Sequence, residues 1–181
     1  MNIFYLDEDP RQCAEWMVDK HVVKMILETA QLLSTAHRVL DGHEQIITVD
    51  SNGKSRRKRV WHLGDDRDRV LYSATHINHP SAVWCRQSVE NYNWLVDHLF
   101  ALSDEYTYRY SKKHATIEKL GVQIASPPLN LKEWDWTPMP SCMDEQYKVG
   151  NDPIANYRNY YKYGKASMHS WKNRTPPDWI V

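Results

Sequence analysis

The chain has 181 residues, 41% of them apolar, which is enough for one domain (1–181) with its own hydrophobic core. Lys plus Arg and Asp plus Glu each total 23, so the overall charge announces no polyanionic partner. Three widely spaced cysteines, an acidic amino-terminal stretch and no apolar run approaching eighteen residues exclude a disulfide framework, a standard signal peptide and a membrane-spanning helix, and the expectation is a reduced, cytoplasmic protein.

Residues 1–6 are apolar-rich and read as an extended segment laid against the core. Asp9-Pro10 is a cap-then-proline helix start. From there Val18, Val22, Met25, Thr29, Leu32, Ala36 and Val39 recur at three- and four-residue steps, predicting one buried-face helix to about Leu40. Residues 42–64 read as a small β-hairpin closed by Asn52-Gly53, with the basic run Lys54, Arg56, Arg57, Lys58 and Arg59 on its return strand. After a charged segment at 65–69, Asn78-His79-Pro80 repeats the helix-start signal, and a helical pattern continues, with or without a break, to about Leu120, ahead of Gly121. Pro127, Pro128, Pro138 and Pro140 around Trp134 and Trp136 forbid a long helix and predict a loop wrapped over the body. Asp152-Pro153 opens a last helix to about Trp171, ahead of Pro176-Pro177. The expected architecture is mainly α: a bundle of three or more long helices, a small β-hairpin and a long Pro/Trp loop.

Charge is distributed unevenly. The first fifty residues hold nine acids and four bases, whereas Lys54–Arg59 and the segment from Lys148 to Arg174 are locally basic. Eight Trp and eleven Tyr against two Phe give most large rings a polar handle, which suits a surface that stacks bases and equally a core that satisfies its own NH and OH groups.

At about 100° per residue, His21, Lys24 and Glu28 project from one strip of the first long helix. A carboxylate, a cation and an imidazole there can supply an acid or base, charge stabilisation and an anion contact. Lys24 and Glu28 are also spaced as an ordinary helix-surface ion pair. A second polar stripe, Arg86, Glu90, Asn93 and Asp97, would face the first if the two helices were antiparallel neighbours. No HExxH, Cys–His cluster, GxGxxG, GxxxxGK[ST] or GxSxG occurs, so neither a metal nor a cofactor is expected.

The segment Val18–Thr29, placed after an apolar amino-terminal piece, resembles the pyrimidine-dimer DNA glycosylases of the phage endonuclease V type. His79-Pro80 before a long aromatic helix is similar to the bacterial branch of that family, and Tyr160–Lys165 to the aromatic, basic end of the phage branch. Met139–Met143, Trp171 and Pro177–Trp179 are similar to uncharacterised phage-genome proteins. The resemblance implies DNA as partner and a free α-amine as nucleophile, attacking the sugar C1′ to form a Schiff base that permits elimination of the 3′ phosphate. It implies Glu28 as the catalytic carboxylate, and His21 and Lys24 as phosphate contacts. Arg56, Arg57, Lys58, Arg59, Arg86, Tyr161, Lys162 and Lys165 would guide the DNA. Asn2 is a poor context for removing Met1, which puts the amine on Met1; Lys24 is the alternative amine if burial lowers its pKa. The implied function is a base-excision N-glycosylase, with or without lyase activity, on damaged or modified pyrimidines, phage-encoded and acting in the host cytoplasm. Two alternatives stay open: a non-catalytic nucleic-acid-binding accessory protein, and an enzyme acting on nucleotides or modified bases in phage DNA modification or counter-defence.

Overall fold

The computed structural model describes residues 1–51 and 53–180 and is mainly α. In chain order the elements are α1 (Pro10–Glu15), α2 (Asp19–Asp41), β1 (His43–Ser51), β2 (Lys54–His62), α3 (Arg67–Val70), α4 (Pro80–Cys85), α5 (Val89–Tyr110), α6 (Ala115–Ile124) and α7 (Pro153–Asn159), the last continuing into a π turn at Tyr160–Gly164. The apolar stripe of α2 packs on α5. The same core takes in Ile3–Leu6, Trp84, Leu120, Tyr157 and Tyr161.

The helix expected from Pro10 to about Leu40 is broken at Trp16–Val18, where Met17 and Val18 are fully buried. Backbone carbonyls left open by the break are taken by side chains from elsewhere. Arg109 of α5 donates to Glu15 O and Met17 O, both at 2.9 Å, and Trp171 Nε1 donates to Trp16 O at 2.9 Å. The Arg109 guanidinium has no solvent exposure and pairs with Glu105 at 2.5 Å and Asp19 at 2.9 Å.

The expected second long helix is likewise divided. His79 caps α4, its Nδ1 accepting the Ser81 N–H at 3.2 Å, but α4 ends at Cys85 and Ser88 caps a new helix by accepting from Asn91 N–H. The Val89 and Glu90 N–H groups donate to Glu133 O and Trp134 O, so the Pro/Trp loop closes the start of α5. Ser111, at φ 54°, ends α5, and α6 then runs through Gly121 instead of stopping before it. α7 has seven residues before the π turn, not a helix to Trp171, so among the described residues only α2 and α5 exceed twenty residues.

The hairpin forms with the basic run on its return strand, pairing His43 with His62 through to Ser51 with Lys54. Of the expected Asn52-Gly53 turn, Asn52 lies outside the described residues and Gly53 has φ +72°, a conformation glycine adopts without strain. Arg38 holds the hairpin root to α2. Its side chain donates to Trp61 O, Tyr72 O, Leu71 O, Asp68 O and Asp68 Oδ1, all between 2.6 and 2.9 Å.

Candidate active site

The first half of α2, the amino terminus and three distant stretches of chain, at His79, Cys142 and 160–168, enclose a cleft of about 360 Å³. Its floor is the expected strip of α2. Glu28, with 16% of its side chain exposed, lies 3.8 Å from the Met1 α-amino nitrogen through Oε2 and 3.0 Å from Lys24 Nζ through Oε1. The carboxylate therefore stands between two amines. Lys24 is 70% exposed, so the burial needed to make it the alternative amine is absent.

Asn2 fixes the position of Met1. Its Oδ1 accepts the Ile3 N–H at 2.8 Å and the Phe4 N–H at 3.4 Å, and its Nδ2 donates to Cys142 O at 2.7 Å. The Tyr157 hydroxyl lies 2.8 Å from both Asn2 Oδ1 and Pro140 O and accepts the Cys142 N–H. Phe4 has φ 58°, a left-handed conformation that costs energy for a bulky residue; this network and the Cys13 thiol, which donates to Phe4 O, hold it there. In that conformation the Phe4 ring stacks on the His21 imidazole at 4.2 Å between centroids.

His21 is buried, with Nδ1 2.5 Å from the Tyr161 hydroxyl. That hydroxyl has no other acceptor among the described residues, and burial raises its pKa well above the usual range. It therefore donates to Nδ1, which leaves Nε2 as an N–H donor. Burial first, and then Lys165 and Lys24, push the His21 pKa down to about 4. The imidazole is neutral near pH 7, so a phosphate contact from it is a neutral N–H contact. It can still donate a hydrogen bond.

The remaining walls come from far along the sequence. Lys20 and Lys165 add cations, Tyr160, Met168 and Phe4 add apolar surface, and Cys142 and His79 close one side. Lys165 Nζ sits over the Tyr160 ring at 4.7 Å. His79 has its pKa lowered by burial and then by the Met1 ammonium, and with Nδ1 engaged at the α4 cap its Nε2–H is the free donor.

Of the residues expected to form the site, Met1, His21, Lys24, Glu28 and Lys165 meet in this cleft. Tyr161 does not: it is fully buried beneath His21 and acts on it from below, so direct contact with DNA is excluded in this conformation. Arg86 ends α4 and donates to Ala82 O and Ile77 O, both at 2.7 Å; it ties a loop and lines no part of the cleft. Its expected companion Glu90 accepts the Trp136 N–H, and the second polar stripe does not face the first. Lys162 lies 6.0 Å from the Tyr163 ring centroid, outside the cleft lining, and Arg56–Arg59 are on the hairpin. Sequence reasoning missed Lys20, Phe4, His79, Tyr160, Cys142 and Met168 as wall residues. Lys20 could have been found, since it stands one helical turn before Lys24 on the same strip.

Fold and site together define a mainly α protein in which a chain-terminal amine and a helix-borne carboxylate share a cationic, aromatic-walled cleft. The chain belongs to the pyrimidine dimer DNA glycosylase family, whose model matches residues 1–118. That match covers Met1, His21, Lys24, Glu28 and His79, whereas the wall formed by Cys142, Tyr160, Lys165 and Met168 lies beyond it. No curated protein and no solved structure gives a significant match.

Proposed function

We propose that this protein is a base-excision enzyme that acts on damaged pyrimidines in DNA, with the Met1 α-amine as nucleophile and Glu28 as the proton-transferring carboxylate. The observation that carries the reading is the 3.8 Å separation of these two groups inside a cleft large enough for a flipped nucleotide. Membership of a DNA glycosylase family supports the same substrate.

In this reading the neutral amine attacks C1′, forming a C–N bond as the glycosidic bond breaks and its electrons leave with the base. Glu28 accepts a proton from the nitrogen and delivers it to the sugar ring oxygen as the C1′–O4′ bond opens, which leaves an imine. Loss of a C2′ proton then expels the 3′ phosphate. Lys20, Lys24 and Lys165 around the rim attract the flanking phosphates. The Nε2–H groups of His21 and His79 offer neutral hydrogen bonds to sugar or phosphate oxygens without repelling the attacking amine. Phe4 and Tyr160 supply ring surface for a base turned out of the helix.

The test is borohydride trapping on duplexes carrying a cyclobutane thymine dimer, an abasic site or no damage. Wild type is expected to form a covalent adduct with damaged DNA, mapped by peptide analysis to Met1. Glu28→Gln is expected to lose strand scission by about 10²–10⁴-fold while retaining binding. Full cleavage by Glu28→Gln, or an adduct on Lys24, would overturn the assignment.

A further inference from the structure

The β1–β2 hairpin projects from the body and is tied to it at its root through Arg38. Because side chains alternate across a strand and directly paired residues share a face, the register sorts its charges. One face carries Lys54, Arg56 and Lys58 on β2 and Gln45, Ile47 and Val49 on β1, with no acid. The other carries Arg57 and Arg59 together with Glu44 and Asp50. On that second face Glu44 takes Arg59 in a two-bonded ion pair, and Asp50 accepts from Ser55. One face thus balances two cations with two acids, whereas the other presents three exposed cations with no acid on that face among the described residues. Their alternate spacing along the strand places them about 7 Å apart in a row.

The row is connected to the cleft. Lys58 and His62 of this face, with Arg59 and Trp61 of the other, line a cavity of about 210 Å³ at the hairpin root beside Ser73 and Ala74, where the acid Asp68 is engaged by Arg38. From Ala74 the chain runs along α2, where Thr75 N–H donates to Thr35 Oγ1, and reaches His79 in the cleft wall. Thr35 lies two turns from Glu28 on the same strip of α2. The hairpin root and the cleft are therefore linked along α2 by residues 74–79. They are separated by about 21 Å, the rise from Glu28 to Gly42, or about six base pairs of B-form duplex.

We infer that the hairpin is a second DNA-binding arm, its Lys54/Arg56/Lys58 face holding the phosphate backbone of the duplex whose damaged nucleotide occupies the cleft. A two-stranded ribbon is of a size that a DNA major groove admits, and a row of unpaired cations complements its phosphate edge. This rests on the DNA-directed reading of the cleft, and duplex length separates the two. A 30-base-pair duplex with a central abasic site spans both, whereas a 10-base-pair duplex ends about 17 Å from the lesion, short of the arm.

The experiment measures salt-dependent binding of both duplexes by fluorescence anisotropy for wild type, the triple variant K54S/R56S/K58S and the opposite-face variant R57S/R59S. On the long duplex the triple variant is expected to bind at least tenfold more weakly, with a log–log salt slope reduced by about 2–3. It should match wild type on the short duplex, and R57S/R59S, which removes two cations from the face that also carries Glu44 and Asp50, should lose clearly less than the triple variant on the long one. An unchanged salt slope for the triple variant, with wild type binding and cleaving normally, would overturn the arm alone and leave an acidic protein partner for this face. Equal losses in both variants would overturn the face assignment. Failure of wild type to bind either duplex would overturn the arm and the DNA reading together.

Discussion

Lowering the pH from 7 to 5 is expected to remove much of this protein's stability, through three buried imidazoles rather than through its carboxylates. His21, His37 and His98 each have their pKa pushed down to about 4, with burial as the main cause. Hydrogen bonding shows why the neutral forms are held. His37 Nδ1 accepts from Arg67, so its proton is on Nε2, 2.8 Å from the Tyr92 hydroxyl, which itself donates to Ile124 O. His98 has Nδ1 3.1 Å from Pro10 O and no partner for Nε2 among the described residues, so a second proton would have no acceptor. An unfolded histidine titrates near 6.5, so between pH 6.5 and 4 the unfolded chain binds more protons than the folded one, and stability falls as pH falls. At pH 5 the unfolded imidazole is almost fully protonated and the folded one only about a tenth, a penalty of about 2 kcal/mol per residue. Three such residues cost about 6 kcal/mol, comparable with the whole stability of an ordinary domain. Urea unfolding followed by tryptophan fluorescence should show the midpoint dropping by about 2–3 M between pH 7 and 5. His98→Leu should flatten that dependence by about a third. A midpoint that moves by less than about 0.5 M would refute the reasoning, since all three histidines would then titrate alike in both states.

Arg109→Met removes a cation with no exposure that satisfies two backbone carbonyls and pairs with Glu105 and Asp19; it should cost about 3–5 kcal/mol in urea unfolding, and a loss below about 1 kcal/mol would mean that the α1–α2 break does not depend on it. Tyr157→Phe leaves the Cys142 N–H without its acceptor and Asn2 Oδ1 without the hydroxyl. It should lower stability by about 1–3 kcal/mol and slow imine trapping while leaving DNA affinity unchanged. Unchanged trapping kinetics would show that the Asn2 clamp does not position the amine.

The α2 strip was legible because helical periodicity needs only local sequence: seven residues separate His21 from Glu28, and two turns of helix bring them to one side. The hairpin and its basic return strand were legible for a similar reason, from alternation and a turn signal. Met1 entered through the family resemblance, and its distance from Glu28 only through the fold. His79 carried a signal, but for its second role as a helix cap; Lys165 entered through the family resemblance, and nothing near Cys142 in the sequence points to a residue more than a hundred positions away. Tyr161, expected at the surface as a DNA contact, is buried beneath His21, because the aromatic run Tyr160–Tyr163 does not say which ring turns inward.

Local sequence by itself determined the proline-marked helix starts at Pro10, Pro80 and Pro153, the apolar faces, the hairpin and the strip bearing His21, Lys24 and Glu28, since each depends on groups within a few turns or one strand pair. Tertiary structure alone decided where the long helical patterns break and what the cleft contains. A helix continues only while its own backbone is the best partner for its N–H and C=O groups. At Trp16–Val18 the better partners are Arg109 and Trp171, and at Ser88–Glu90 they are Glu133 and Trp134, all supplied by chain far away. The same long-range pairing, through Asn2, Cys142 and Tyr157, sets the amine beside its carboxylate.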